Sequence, residues 1–270
     1  MCRLLGVVST SSQPLADVLR DDLEQFTALS CDHCDGWGLG YADEGGGYTV
    51  RKQPETAQSS AAYRAALEEA RTDAAVLHLR KASPGMINTP LNTHPFTDGR
   101  VVFAHNGWCA DTGALDAELA RAGGPSCQGT TDSERYFGLV VAALRSVAPE
   151  VALTGVSHRI NALTRTEALN CLLLTDEALY AFSSFDASRP TCSGKDPVAT
   201  YTMGYRIGPE GVVVASTGWE DPALPWEPLT NGRVLRVGRR DLHTSVHRMV
   251  PSWAEERIAA EEQMAPSAAV

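Results

Sequence analysis

The sequence predicts an α+β domain of stacked sheets with helices outside, and three observations carry that expectation. Four strand-like runs, LNCLLLTD, ALYAFSS, TMGYRIG and GVVVAST, follow one another closely after a pair of helical stretches, a succession that suits layered sheets. Two further strand patterns near the start enclose the turn Asp43-Glu44-Gly45-Gly46-Gly47, a hairpin signal. A chain of 270 residues that is 43% hydrophobic and 21% charged can bury one large core. One domain is therefore expected over residues 1–250, and residues 251–270 read as a charged helical tail fraying into a mobile end.

The elements follow in order. CRLLGVVS is an apolar run broken by Gly6, a buried strand with Cys2 at its end. Pro14 to Leu29 carries Leu15, Val18, Leu19, Leu23 and Phe26 at helical spacing against Asp17, Asp21, Asp22 and Glu24, which reads as one amphipathic helix. GWGLGYAD and GYTVRKQ are the hairpin strands. Ser59 to Arg71 is Ala-rich and helical, and it feeds the strand AAVLHLRKAS, which places Arg80 at a strand end. SPGMINTPLNTHPF, rich in Pro and Asn, is expected to be an irregular loop, and RVVFAHNG to be a strand stopping at Asn106-Gly107. Thr131-Asp132-Ser133-Glu134 has capping-box spacing, so a helix should start there with Asp132 in its first turn, and EVALTGVSHRINAL supplies a second helix.

Composition excludes several functions. A net charge of −10 without a basic patch argues against nucleic acid or an anionic membrane as partner and leaves small molecules. The apolar run Leu4 to Val8 is too short for a signal-peptide core, and nothing later approaches the roughly 18 residues of a spanning helix, so a cytoplasmic location is expected. Seven cysteines without a secretion signal should be reduced thiols. Cys31-Asp32-His33-Cys34 has metal-ligand spacing, but no second Cys or His pair sits at matching spacing, so loop residues and no metal are expected. His33, His78, His105 and His158 show no partner pattern and read as core or surface.

Cys2 carries the chemistry. Once Met1 is removed, which a small second residue permits, Cys2 supplies both a thiol and a free α-amine whose pKa near 8 suits a general base at neutral pH. MCRLLG, DGWGLGY, HLRKAS, NTHPF, FAHNG and GTTDSERYF then occur in an order and spacing that resembles the class II glutamine amidotransferases, above all their short stand-alone branch. The resemblance is strong to about residue 145; GVVVASTGW resembles a later strand of that branch, with its acidic residue and proline absent.

The resemblance implies the four-layer αββα sandwich of N-terminal-nucleophile hydrolases and no cofactor. It implies Cys2 as nucleophile and Asn106 with the Gly107 N–H as oxyanion hole, an amide and a neighbouring N–H converging on one oxygen. It also implies Arg80 on the substrate α-carboxylate, where a planar fork fits, and Asp132 on the α-ammonium, where an acceptor fits. A surface ion pair for Arg80, a helix-dipole role for Asp132 and a simple turn at Asn106-Gly107 are the plainer alternatives. His94 in THPF is expected to organise its loop. Gly36, Gly38 and Gly40 should let backbone pass close, with Trp37 in the core.

Three functions remain open on this basis: hydrolysis of a γ-glutamyl small metabolite, a glutaminase subunit passing ammonia to a separate synthase, or a non-catalytic binder. The partner is accordingly a small γ-glutamyl substrate, with a synthase or a second copy of the chain as protein partners. The amine-side group of the substrate should meet the 83–96 loop and the 184–200 stretch.

Overall fold

The computed structural model describes residues 1–248 apart from residues 84, 217, 218 and 220–224. The chain enters β1 (Arg3–Pro14), then α1 (Leu15–Leu19) and α2 (Asp21–Ala28). The hairpin of β2 (Gly36–Ala42) and β3 (Tyr48–Gln53) leads through α3 (Ala61–Glu69) into β4 (Arg71–Arg80). After a loop come β5 (Phe96–Thr97), β6 (Val102–Cys109), α4 (Thr112–Arg121), α5 (Asp132–Ala143) and α6 (Pro149–Leu163). They are followed by β7 (Thr166–Leu174), β8 (Ala178–Ser183), α7 (Pro197–Tyr201), β9 (Met203–Gly208) and β10 (Gly211–Ala215). The last elements described are β11 (Glu227–Leu229), β12 (Arg233–Gly238) and β13 (Thr244–Arg248). Two antiparallel sheets result, ordered β11-β9-β10-β1-β4-β2-β3 and β13-β12-β8-β7-β6-β5.

Period-two alternation sorts the side chains into layers. On β1, Leu5 and Val7 share a core with Leu15, Leu19, Phe26, Tyr63 and Leu67 of α1 to α3. Leu4 and Val8 face the other way and share a core with Val102, Leu172 and Leu179 of the second sheet. The outer face of that sheet, with Phe103, Leu173 and Tyr180, packs on Tyr136, Val140, Leu153 and Ile160 of α5 and α6. Three apolar layers thus separate four structural ones in the order helix, sheet, sheet, helix. This is the αββα sandwich the resemblance implies.

Several local expectations differ from the structure. The helix expected over Pro14 to Leu29 is two, because β1 extends to Pro14 and Arg20, at φ 45°, separates α1 from α2. Asp22, which the periodicity puts on the polar face, is buried; it pairs with Arg206 of β9 and accepts from Trp219 Nε1 at 2.7 Å. A carboxylate removed from water needs such partners, and they come from sequence-distant segments that helical periodicity cannot see. The strand expected to stop at Asn106-Gly107 instead runs on to Cys109, with Asn106 opposite Asn170 and Gly107 opposite Leu169. Pairing with β7 overrides the turn preference of Asn-Gly, and the irregularity falls at Trp108/Cys109. Helices α4 and α7 and strands β5 and β11 to β13 are additional elements; α4 is announced only by Asp111, which caps it by accepting from Ala114 N at 3.0 Å. The expected tail helix, residues 251–270, lies outside the described residues.

Candidate active site

Strand β1 lies at the centre of its sheet, between β10 and β4, with Arg3 opposite Leu79 and Leu4 opposite His78. The same register puts Cys2 opposite Arg80 where the two strands end. The Cys2 thiol donates weakly to the Lys81 carbonyl at 3.7 Å. Burial pushes its pKa up; the Lys81 contact, the N-terminal charge and Arg80 pull it down, and Asp132 adds to the rise. Arg80 and Asp132 are therefore each within electrostatic reach of the Cys2 thiol. Met1 precedes Cys2, with its sulfur 3.3 Å from the Tyr201 hydroxyl, and burial depresses its amine below the ordinary value.

Arg80 is buried at 3% exposure, and no carboxylate lies within ion-pair distance of it among the described residues, so a surface ion pair does not describe it. A small polar frame holds it instead. Its Nη1 donates to the Asp35 carbonyl at 3.4 Å and to Asn88 Oδ1. The Asp35 carboxylate in turn accepts from Ala82 N at 2.8 Å and from Asn88 Nδ2 at 3.2 Å. Sequence reasoning singled out neither Asp35 nor Asn88. Asp35 opens the DGWGLGY motif, and the pairing of Gly36 with Arg80 across β2 and β4 brings it to the guanidinium.

Asp132 is the first residue of α5, and its carboxylate is occupied by backbone: Oδ1 accepts from Ser133 N at 2.9 Å and Oδ2 from Cys109 N at 2.7 Å. The capping role belongs to Thr131, whose hydroxyl accepts from Glu134 N at 3.1 Å. Glu134 does not complete the expected capping box, because its carboxylate turns outward to Gln128 N and Gly129 N, each at 2.7 Å. Behind Asp132 stands His105, which sequence reasoning left without a role. Its Nδ1 meets the Ser133 hydroxyl at 2.9 Å and its Nε2 the Ala168 carbonyl at 3.2 Å. Burial lowers its pKa, with Asp132 opposing.

Alternation along β6 turns Asn106 to the face opposite His105, toward the first sheet. Asn106 is fully buried, and neither its Nδ2 nor its Oδ1 has a hydrogen-bond partner among the described residues. Gly107 follows, where a Cβ would stand 1.9 Å from the Ala168 carbonyl oxygen, so only glycine fits.

His94, in the loop between β4 and β5, is buried between the sheets. Its ring stacks on His78 with centroids 4.1 Å apart. Its carbonyl lies against β2, where a Cβ on Gly38 would come within 1.8 Å of it. Lys52 clamps the same segment, donating to the Thr93 carbonyl at 2.6 Å and the Pro95 carbonyl at 3.1 Å. Trp37, on the other face of β2, is in the core at 1% exposure.

Cys31 donates to Gln58 Oε1 at 3.1 Å, and among the described residues no group of three or more His, Cys, Asp or Glu could hold a metal. No helix among them is long and apolar enough to cross a membrane. A cleft of about 560 Å³, lined by Asn161, Arg165, Phe185, Asp186 and Arg189 among others, includes none of Cys2, Arg80, Asn106 or Asp132 in its walls.

Known proteins match this chain in sequence and in fold. The family model described as "Glutamine amidotransferases class-II" matches residues 1–193. The chain is 28% identical over 196 residues to an uncharacterised protein of Methanocaldococcus jannaschii, covering 70% of this chain and 52% of that one. It is 30% identical to the glutamine–fructose-6-phosphate aminotransferase (isomerizing) of Caulobacter vibrioides, over 64% of this chain and 27% of that one. It thus spans about half and about a quarter of those two relatives. The gamma-glutamyl-hercynylcysteine sulfoxide hydrolase of Mycolicibacterium smegmatis is 26% identical, with 79% of this chain and 81% of that one covered. Among solved structures, a glutamine aminotransferase class-II domain protein from Silicibacter pomeroyi superposes with a TM-score of 0.66 at 21% identity, over 93% of this chain and all of that one. The glutamine phosphoribosylpyrophosphate amidotransferase of B. subtilis does so with 0.63 at 17% identity, over 92% and 49%. These two share the N-terminal-nucleophile fold. With its family model matched over residues 1–193 and that sandwich as its fold, the chain belongs to the class II glutamine amidotransferases.

Proposed function

We propose that the protein hydrolyses γ-glutamyl amides of small metabolites through a thioester on Cys2. The observation that carries this is Asn106: a buried side-chain amide with both polar atoms unpaired among the described residues, on the sheet face toward Cys2. Such a group is expensive in a purely structural role and valuable as a preorganised donor to a developing oxyanion. Removal of Met1 frees the α-amine of Cys2, which takes the thiol proton as sulfur attacks the γ-carbonyl. The oxygen of the tetrahedral intermediate collects its charge against Asn106 Nδ2 and the Gly107 N–H. Collapse breaks the C–N bond, the amine leaves with the proton, and water cleaves the thioester to glutamate and the free thiol. Arg80 and Asp132 hold the α-carboxylate and α-ammonium of the head group, opposite charges at the two places their chemistry suits.

Intact mass and a γ-glutamyl amide screen test this. Active protein should begin at Cys2, and Cys2→Ala should lose turnover. A diazo-ketone glutamine analogue should add one label at Cys2; full activity with Met1 retained, or labelling at Cys31 or Cys109, sinks the assignment. The 30% identity to an aminotransferase favours a second reading, a glutaminase subunit feeding ammonia to a separate synthase. Turnover of N-substituted amides by the isolated chain separates the two.

A further inference from the structure

Where the family-model match ends at residue 193, the segment leading into β9 is built across the N-terminus of β1. Thr191 and Lys195 close a turn through Thr191 N to Lys195 O at 3.0 Å, and Asp196 caps α7, accepting from Val198 N and Ala199 N at 3.2 Å each. Three buried or half-buried groups tie this segment down. Glu167 accepts from Cys192 N and, at 2.8 Å, from the Tyr201 hydroxyl. Asn170 Nδ2 donates to the Tyr201 carbonyl at 2.6 Å. Arg3 Nη1 bridges the Cys2 carbonyl at 3.1 Å and the Thr200 carbonyl at 3.5 Å. Tyr201 is fully buried and stacks on Phe185.

The Tyr201 hydroxyl has two neighbours, the Glu167 carboxylate and the Met1 sulfur. A phenol has one proton, and a carboxylate is the stronger acceptor, so the proton points at Glu167 and the oxygen lone pairs face the Met1 side chain. Removal of Met1 therefore uncovers a methionine-sized slot beside Cys2, walled by an aromatic ring and ending in an acceptor. Topology fixes which side of Cys2 this is. Arg80 lies on β4, one neighbour of β1, whereas α7 is tied to β7 and leads into β9, beyond the other neighbour β10. A γ-glutamyl amide held at its head by Arg80 must extend its amine-side group away from β4, toward α7.

We propose that Tyr201, positioned by Glu167, is a specificity-determining residue that receives the amine-side group, so that preferred substrates are N-substituted γ-glutamyl amides ending in a hydrogen-bond donor. This deepens the γ-glutamyl reading and rests on it. The test compares three probes: the γ-glutamyl amide of propanolamine, its isostere from butylamine, and the diazo-ketone glutamine analogue, which has no amine-side group. Wild-type protein should prefer the propanolamine amide in kcat/KM by at least about tenfold, as expected where a site hydrogen-bonds its substrate. Tyr201→Phe should bring the two amides to within about twofold while Cys2 labelling keeps its rate. Glu167→Gln should move the ratio the same way and decides the matter if Tyr201→Phe does not fold. An unchanged ratio in both variants overturns the proposal, as does a slowing of all substrates and of labelling together, which marks a structural role. If the wild-type protein is neither labelled at Cys2 nor active, the parent reading fails first and this one with it.

Discussion

A side-chain amide buried without partners costs on the order of 1–3 kcal/mol per group, and among the described residues Asn106 lacks a partner at both its nitrogen and its oxygen. A role in the reaction gives activity and stability opposite responses to its removal. Asn106→Ala should lower kcat by about 10²–10³ with KM little changed, while the melting temperature stays or rises. Rates within tenfold of wild type would leave Asn106 without a part in the chemistry. Arg80 and Asp132 call for a different experiment, because they are assigned to the head group and should act on every γ-glutamyl substrate alike. Arg80→Lys and Asp132→Asn should each lower kcat/KM at least about tenfold, since an ammonium cannot reproduce the guanidinium fork and a charge-assisted contact is worth roughly 1.5–3 kcal/mol. Wild-type enzyme should also reject substrates with an amidated α-carboxylate or an acetylated α-amine. Asp132→Asn with unchanged rates would return Asp132 to its visible task of accepting from Ser133 N and Cys109 N.

At the scale of elements, β2 shows how a motif works through what it omits. Gly36, Gly38 and Gly40 face the second sheet, and at Gly38 a Cβ would meet backbone, the His94 carbonyl oxygen, which no rotamer change can relieve. Gly38→Ala should therefore destabilise the fold by more than about 2 kcal/mol, a fall of several degrees in Tm for a domain of this size, and should disturb His94 with it. Gly45→Ala, in a turn with nothing within 4 Å, is the control and should melt like wild type. Equal melting of the two would mean the THPF segment yields freely to β2. The same elements mark what was legible in the sequence. Strands β1, β2, β3, β4 and β7 to β10 and helices α3, α5 and α6 declare themselves through local periodicity and capping, because each buries one face or one stripe. The break at Arg20, the burial of Asp22 and the continuation of β6 through Asn106-Gly107 depend on Arg206 and β7, partners far along the chain. The site divides likewise. Cys2, Arg80, Asn106 and Asp132 stand in quotable motifs with a chemistry that their residue types announce, whereas Asp35 and His105 lie unmarked inside the same motifs, and Asn88, Glu167 and Tyr201 are placed only by hydrogen bonds of the folded chain.

For the whole molecule, enclosing polar rings between and behind the sheets ties stability to pH. His78, His94 and His105 are all buried, and burial holds the pKa of His78 and His94 well below the ordinary histidine value and lowers that of His105. His33 is pushed down to about 4 by the same cause. In the unfolded chain each would titrate near 6.5, so below about pH 6.5 the unfolded state takes up protons that the native state refuses. Stability then rises with pH in that window; the histidine contribution is fully present above about pH 7 and is lost as pH falls toward the folded pKa values. For His33 the loss levels off near pH 4, and for His78 and His94 it continues lower. Each histidine contributes a slope of roughly 1 kcal/mol per pH unit, so together they give a steep decline rather than a gradual one. Denaturant midpoints measured from about pH 8 to about pH 5 at fixed ionic strength should be flat at first and then fall steeply. His94→Phe, which keeps a ring on His78 without a titrating group, should shallow the slope by about one proton even if it lowers stability overall. A midpoint that stays level down to about pH 5, or an unchanged slope in His94→Phe, would show that the native fold admits the protonated rings and that the space between the sheets is wetter than the packing of Pro95, Gly38 and His78 around His94 implies.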